Sequence, residues 1–262
     1  MRILKPVVLS IVLSGMFSCQ HVASSNETEP DPASQDASQD SNFKTLDTAI
    51  SFHGFWVNET FAASLRETQS PLLATIPENS CIYIPDRTLK PTGMIYGFHE
   101  GGEAWVVVKN GTEHELWDEN MENKRSSIRI LPGGKLQIGK ESFVKLKYDN
   151  RSETQPTILE ELLFAGTYKD PQGGSVVFTY DGRVSGLDSF QTYSAAIDVM
   201  EENVDRMGLA INRGRETDFG YRFRNDTLRI FELDCLDYDS TNKACITQDL
   251  GKLRYILVKT GK

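Results

Sequence analysis

The chain has 262 residues and a formal net charge of −9, and 39% of its residues are hydrophobic. An acidic chain without a cluster of Lys and Arg is poorly suited to a phosphate backbone, so no nucleic acid partner is predicted. Collagen-like, coiled-coil and multispanning membrane proteins are excluded too, because the sequence has no Gly-X-Y period, no heptad repeat and no run of twenty apolar residues.

The first eighteen residues are typical of a secretory signal peptide. Arg2 and Lys5 precede an apolar run over residues 6–17, which is too short to span a bilayer. The segment that ends at Cys19, Ser-Gly-Met-Phe-Ser-Cys, resembles a bacterial lipobox, in which the cysteine is acylated and becomes the new N-terminus. We therefore expect residues 1–18 to be removed and Cys19 to be lipidated. An ordinary cleaved signal with an incidental cysteine is the alternative.

The next segment, residues 19–44, is polar and rich in acidic residues. Such a segment buries too little apolar surface to offset the entropy of ordering it, so it is predicted to be a disordered acidic tether. A recognition tail is the alternative. Together the anchor and the tether predict an exported protein that is attached by lipid to the bacterial cell envelope. We expect the outer membrane, without a preference for its periplasmic or its surface face.

A short helix is predicted over residues 59–68. Asn58 is a favourable N-cap, and Phe61 and Leu65 lie one turn apart, where they would cover the open end of a barrel. Pro71 prevents the helix from continuing.

The rest of residues 45–262 is dominated by short segments rich in β-branched and aromatic residues, separated by turn residues. This spacing predicts a mainly β fold, an antiparallel up-and-down β-barrel with one short N-terminal helix. The candidate strands cover residues 80–84, 93–99, 104–109, 113–118, 127–131, 135–138, 143–148, 166–169, 175–180, 183–187, 191–199, 207–212, 219–224, 227–233 and 253–259.

The two halves of this region are faintly alike, which suggests an internal duplication of residues 52–149 and 164–259. Each half opens with glycine, any residue and an aromatic residue, at Gly54 and at Gly166. A duplicated half is compatible with one large barrel or with two smaller β units. We expect a single domain, because the segment 153–163 between the halves ends in apolar residues and is unlike a free linker.

Three further cysteines follow the tether. Cys235 and Cys245 bracket a polar segment between two predicted strands, so a disulfide is predicted there, as suits an exported protein. Metal ligation is a weaker alternative, since the sequence has neither a Cys-x-x-Cys motif nor a nearby histidine. Cys81 is predicted to be a buried hydrophobic residue, with a reactive thiol as the alternative.

Several short motifs resemble one known group of proteins. They are Gly-Phe-Trp-Val-Asn at 54–58 with the helix after it, Phe-His-Glu-Gly at 98–101, the Tyr-Asp-Gly-Arg-Val-Ser-Gly segment at 180–186, and later Phe-Gly-Tyr and Leu-Arg-Tyr-Ile-Leu strands. Over residues 52–259 the chain resembles the lipocalin-like, calycin-type lipoproteins of Bacteroidota. The resemblance implies an up-and-down barrel that binds a small apolar or amphipathic molecule, and it implies no catalytic residues.

Aromatic residues are the best candidates for a ligand site, because aromatic walls with a few polar groups are typical of small-molecule pockets. The candidate ligand-binding residues are Trp56, His99, Trp105, Tyr193, Phe219, Tyr221 and Phe223. In the strand over 219–224, alternation predicts that the three aromatic rings point inward and that Arg222 and Arg224 point outward. The alternative is that the aromatic residues simply fill the core of a small barrel.

No catalytic residue, metal site or cofactor is predicted from the motifs present. The sequence has no nucleophile elbow, zinc-protease helix, phosphate loop or dinucleotide fingerprint. The adjacent pair Glu160 and Glu161 is expected in solvent, and His114 is expected at the surface. Three functions stay open: a ligand-binding lipoprotein, a structural or assembly accessory lipoprotein with a filled barrel, and a hydrolytic enzyme, which would need titratable groups that converge in a cleft.

Overall fold

The computed structural model describes residues 45–46, 52–84, 92–96, 103–147, 157–197, 203–211 and 214–260. The predicted signal peptide, Cys19 with its predicted lipid, the predicted acidic tether and His99 lie outside these residues. Within the described ranges, no helix combines the length and the apolar character needed to cross a bilayer.

The described chain is mainly β, and all strand pairs are antiparallel, which confirms the predicted fold class. Its α-helix α1 covers Glu59–Thr68, as predicted, and a short π-helical turn covers Glu160–Phe164. The strands are β1 Thr45–Leu46, β2 Gly54–Asn58, β3 Cys81–Ile84, β4 Thr92–Tyr96, β5 Glu103–Asn110, β6 Glu113–Asp118, β7 Lys124–Ile130, β8 Leu136–Ile138, β9 Glu141–Lys145, β10 Gly166–Lys169, β11 Ser175–Phe178, β12 Val184–Ser185, β13 Thr192–Ala195, β14 Arg206–Ala210, β15 Thr217–Arg224, β16 Thr227–Asp239 and β17 Ala244–Lys259.

Helix α1 begins and ends through the interactions that its sequence predicts. The Asn58 side chain accepts a hydrogen bond from the backbone N–H of Thr60 at 2.9 Å, so the cap satisfies one of the free donors of the first turn. At the other end Gln69 adopts a left-handed conformation, and its N–H donates to the Leu65 carbonyl. Phe61 and Leu65 are fully buried on the inner face of the helix.

The first sheet contains β1 to β9. Strands β2 to β8 each pair with the next strand in the chain, and β9 pairs with β2, so this meander closes into a barrel. Strand β1 pairs with the part of β5 that lies beyond its pairing with β4.

The second sheet contains the eight strands β10 to β17, in the order β12-β11-β10-β17-β16-β15-β14-β13. Its two end strands approach each other through the isolated bridge between Arg183 and Thr192. The second sheet is therefore a nearly closed antiparallel meander, similar in topology to the first. The single domain and the internal duplication both stay predictions.

The buried apolar side chains form two clusters. The smaller cluster fills the interior of the first sheet and includes Trp56 and Phe143. The larger cluster fills the second sheet and continues outward through the π-helical turn and α1 to Phe55 and Val57 of β2. Because neighbouring residues of a strand point to opposite faces, Trp56 of β2 belongs to one cluster and the residues beside it to the other.

The first barrel is closed at its seam by a lysine that lies over an aromatic ring. Gly54 opens β2 at φ +133°, and a Cβ atom there would collide with the Lys145 side chain. The Lys145 Nζ atom lies 5.2 Å from the centre of the Trp56 ring, a cation–π distance. The Trp56 indole N–H donates to the carbonyl of Phe52, four residues earlier, at 2.8 Å.

The second sheet repeats this arrangement. Gly166 opens β10 at φ +151°, and the Lys259 side chain occupies the space that a Cβ atom would need. The Lys259 Nζ atom lies 5.5 Å from the centre of the Tyr168 ring. The Tyr168 hydroxyl donates to the carbonyl of Phe164, again four residues earlier, at 2.8 Å.

Candidate functional site

The residues predicted to form one ligand site fall into two separate clusters. Trp56 is buried inside the first barrel, and the half-buried Trp105 packs against the same cluster. The members that lie in the larger cluster of the second sheet are Tyr193, Phe219, Tyr221 and Phe223. The structure therefore brings four of the predicted residues together, and a ligand role for any of them stays a prediction.

The interior of the second sheet is occupied by aromatic rings. Phe164, from the π-helical turn, lies at the centre of this group. Its ring centre lies 4.9 Å from that of Tyr221, 5.3 Å from that of Phe223 and 5.6 Å from that of Tyr193. These are ordinary packing distances for aromatic pairs, so Phe164 acts as a plug for the sheet.

A carboxyl group is buried beside this plug. Glu160 is only 5% exposed, and its Oε1 atom accepts a hydrogen bond from the Ala195 N–H at 2.8 Å. Burial raises the pKa of Glu160 to about 7, against the smaller lowering effect of its backbone hydrogen bonds. The expectation that Glu160 and Glu161 are both solvated is therefore wrong for Glu160, because the π-helical turn directs it into the core.

Two tyrosine hydroxyls and a second carboxyl group accompany Glu160. The Tyr193 hydroxyl donates to the Thr179 carbonyl at 2.7 Å, whereas the fully buried Tyr221 hydroxyl has no hydrogen-bond partner within the described residues. Burial raises the pKa of Tyr221 well above its ordinary value, and the charges of Asp205 and Glu160 add to this effect. Desolvation also raises the pKa of Asp205. The second sheet thus holds an apolar interior with a small polar group of side chains.

The alternation predicted for β15 is confirmed. Phe219 and Tyr221 are buried and Phe223 is half-buried, while Arg222 and Arg224 are exposed on the other face. The two guanidinium groups stay hydrated in this register, which avoids the large cost of burying an unpaired charge.

An open polar groove lies beside the start of α1. Its volume is about 680 Å³, and its wall includes Asn58, Glu59 and Glu141. The Glu141 carboxylate accepts from Asn79 at 2.8 Å and from Asn58 at 3.4 Å, and Glu59 pairs with Lys135 at 2.5 Å. These contacts join the start of α1 to the first barrel.

The longest hairpin among the described strands extends beyond the second sheet. Strand β15 pairs with β16 only as far as Phe231, whereas β16 and β17 continue to pair with each other from Leu233↔Leu250 to Asp239↔Ala244. We call residues 233–250 the arm. Within the described strands the arm is a ribbon of two strands, where the sequence predicted a polar loop.

The predicted disulfide between Cys235 and Cys245 is confirmed, and it lies across the arm. The two Cα atoms are 5.7 Å apart, a typical separation for a disulfide. An isolated two-stranded hairpin is only marginally stable in water, so the covalent link is what keeps this ribbon ordered away from the sheet. Cys81 is buried, as predicted.

The arm exposes large apolar side chains. Leu236, Ile246 and Tyr238 are 66%, 61% and 59% exposed, and among the large apolar residues that the structure describes only Leu73, at 72%, is more exposed. Single exposed apolar residues are common on protein surfaces, but the arm carries three of them on one short ribbon beside a disulfide, and we call these three side chains the apolar patch.

Neither a metal site among the described residues nor a related protein indicates what this chain does. Across the described ranges, no three His, Cys, Asp or Glu residues are grouped so that they could hold a metal ion. No protein family model, curated protein or solved structure matches the chain.

Proposed function

We propose that this protein is an accessory lipoprotein of the bacterial cell envelope that binds a protein partner through its arm. The observation that carries the proposal is the exposure of Leu236, Tyr238 and Ile246 on a ribbon held by a disulfide. A disulfide that holds exposed apolar side chains on an ordered ribbon preorganises a binding surface and lowers the entropy cost of association.

The packing of both sheets supports an interaction protein over a carrier. Trp56 and Phe143 lie among the side chains that fill the first barrel, and Phe164 plugs the second sheet with its ring packed against four others. In this proposal Cys19 carries the lipid anchor, the acidic tether separates the folded part from the outer membrane, and the chain is a lipocalin-like lipoprotein in which the barrels serve as scaffold.

A small amphipathic ligand in the second sheet is the second candidate function. The Tyr221 hydroxyl, buried without a partner among the described residues, favours it because such a group costs free energy unless something bonds to it. A fluorescent fatty-acid probe that binds the wild type and loses affinity for Tyr221→Phe would support this candidate. Equal binding to both proteins would count against it.

The arm proposal is tested by photo-crosslinking in cells. A photoreactive amino acid replaces Leu236 in the full chain, and irradiation is expected to give discrete adducts of higher mass. Adding Tyr238→Ser to the same chain should reduce their yield, because this change removes neighbouring apolar surface.

Leu73 provides the matched control, since it is an exposed leucine outside the arm. The same photoreactive group at position 73 should give no such adducts. Absence of adducts from position 236, or an identical adduct pattern from both positions, would refute the proposed function.

A further inference from the structure

The arm combines its apolar patch with a strong negative charge. Residues 233–250 contain four aspartates and a single basic residue, Lys243. Asp239 has a structural role, because it accepts hydrogen bonds from the backbone of Thr241 and Asn242 in the turn. The carboxylates of Asp234, Asp237 and Asp249 are exposed on the ribbon, and that of Asp249 accepts a hydrogen bond from the backbone N–H of Leu250 at 2.7 Å.

Two of these carboxylates face each other across the ribbon. Asp234 pairs directly with Asp249, and the Asp234 carboxylate lies against the backbone of Gly251. Like charges in directly opposite positions destabilise a β-ribbon. Neither carboxylate forms an ion pair within the part of the chain that the structure describes. A bound cationic group would relieve this repulsion.

The root of the arm is fixed to the second sheet. Leu233 and Leu250 pair with each other, and their methyl groups fill the space over Gly220 that a larger residue would occupy. Because side chains alternate along a strand, Asp234 and Asp249 point to the opposite face of the ribbon. The carboxylate pair is therefore held in a defined direction, away from the sheet.

The irregular register of the arm favours docking on its face over addition of a strand to its edge. The β16–β17 register shifts between Cys235 and Asp237 and again between Asp237 and Tyr238. Bulges of this kind twist an edge strand and interrupt its row of hydrogen-bonding groups, which hinders edge-to-edge pairing. The side chains of the arm are thus its recognition elements.

We propose that the partner docks on the arm with a cationic amphipathic segment, in which Lys or Arg residues alternate with apolar ones. This inference rests on the proposed function and names the chemistry of the partner. Basic side chains would meet the Asp234 and Asp249 carboxylates, and apolar ones would cover Leu236 and Ile246. A second copy of this chain fits poorly, since its net charge is −9 and its tether is acidic. An anionic lipid surface is repelled for the same reason.

The experiment measures binding of synthetic peptides to the full chain by fluorescence anisotropy. The probe is a fluorescein-labelled twelve-residue peptide of alternating Lys and Leu, and the comparison peptides carry Glu in place of Lys or Ser in place of Leu. Only the Lys-Leu peptide is expected to bind, and its affinity should fall as the salt concentration rises, because exposed charges are screened.

Paired variants locate the binding surface. Asp234→Asn with Asp249→Asn should weaken binding about five-fold or more, which is within the range for two exposed ion pairs. Leu236→Ser with Ile246→Ser should weaken it as well. The matched control is Glu119→Gln with Glu122→Gln, which removes two exposed acids from the first sheet and should leave affinity within about two-fold.

Three results would overturn the inference. They are equal binding of the Glu-Leu peptide, unchanged affinity in the double asparagine variant, and self-association of the wild type that Leu236→Ser abolishes, which would make a second copy the occupant. Crosslinks from position 236 in cells without any Lys-Leu binding would refute the cationic partner and leave the proposed function standing. Absence of the crosslinks would refute both.

Discussion

The two sheets are closed by the same arrangement of a glycine, a lysine and an aromatic ring, and they differ in the side chains that they enclose. The closed meander of each sheet begins with a glycine covered by a lysine from the last strand, and that lysine lies over the ring of Trp56 in one sheet and of Tyr168 in the other. The first sheet encloses mainly aliphatic side chains, whereas the second encloses aromatic rings with the Glu160 carboxyl. The strand pair that closes each sheet thus has the same arrangement, whereas the side chains inside the two sheets differ.

The buried carboxyl groups of the two sheets respond to their surroundings in opposite ways. In the first sheet, a hydrogen bond from Lys124 lowers the pKa of Glu115 to about 2, with help from Trp117 and Asn110 and against the effect of burial. In the second sheet, burial dominates and raises the pKa of Glu160 to about 7. A paired carboxylate favours the ionised form, and an almost unpaired one favours the neutral acid.

The largest expected effect tests whether the two sheets unfold together. Phe164→Ala empties the centre of the second sheet and should lower the free energy of unfolding by about 3–5 kcal/mol. All three tryptophans, Trp56, Trp105 and Trp117, lie in the first sheet. Because the larger cluster reaches β2, urea unfolding followed by tryptophan fluorescence should shift as much as unfolding followed by circular dichroism.

Phe143→Ala provides the control for this shift, since Phe143 is fully buried in the first sheet. It should move both signals as well. If Phe164→Ala moved the circular dichroism transition and left the tryptophan transition in place, the sheets would be independent folding units.

The second prediction concerns the pH dependence of stability that Glu160 imposes. Its folded pKa lies above its unfolded value, so its stabilising contribution is complete below about pH 4.5 and is lost as the pH rises through about 7. Relative to the wild type, Glu160→Gln should therefore gain about 3 kcal/mol of stability across this interval. Urea denaturation of both proteins between pH 4 and pH 8 measures the difference.

Glu115→Gln sharpens the contrast, because Glu115 has a lowered pKa. Its contribution should be present above about pH 4.5 and disappear as the pH falls towards 2, the reverse of the trend for Glu160. A stability difference between Glu160→Gln and the wild type that is independent of pH would contradict the burial of an ionisable Glu160.

The smallest effect on global stability is expected from the arm. Replacing Cys235 and Cys245 with alanine should lower the free energy of local opening by about 2–3 kcal/mol, the value for a short closed loop in the chain-entropy model. Hydrogen exchange over residues 233–250 should accelerate accordingly, while both sheets keep their unfolding midpoint. A large shift in the midpoint of global unfolding would show that the arm is part of the core of the second sheet.

Local patterns in the sequence predicted the individual helix and strands better than they predicted which strands share a sheet. The helix Glu59–Thr68 follows from its cap and its apolar spacing, and the inward face of β15 follows from alternation. The partition of the strands between two sheets depends on which distant strands pair, such as β2 with β9 and β10 with β17. Alternation within one strand carries no information about such partners.

The sequence was least informative for the arm and for Glu160. The arm is rich in Asp, Asn, Ser and Thr, a composition typical of loops, yet the disulfide holds it as a ribbon. Adjacent glutamates are usually solvated, and Glu160 is buried because a π-helical turn, which has no simple sequence signature, alters the direction of its side chain. In both cases a tertiary constraint overrides the local preference.

The pairing of β2 with β9 and of β10 with β17 sets the order in which the two sheets can close as the chain emerges. The first barrel joins β2 to β9 once Lys145 has emerged, about ninety residues after its first strand. The second sheet needs β17 to reach β10 over a similar distance, so it remains open until Lys259 has emerged. During that interval its aromatic residues have no complete sheet around them, and nascent chains in this state are prone to aggregate. The completed first barrel, through the outer face of β2, then offers them a surface on which to assemble.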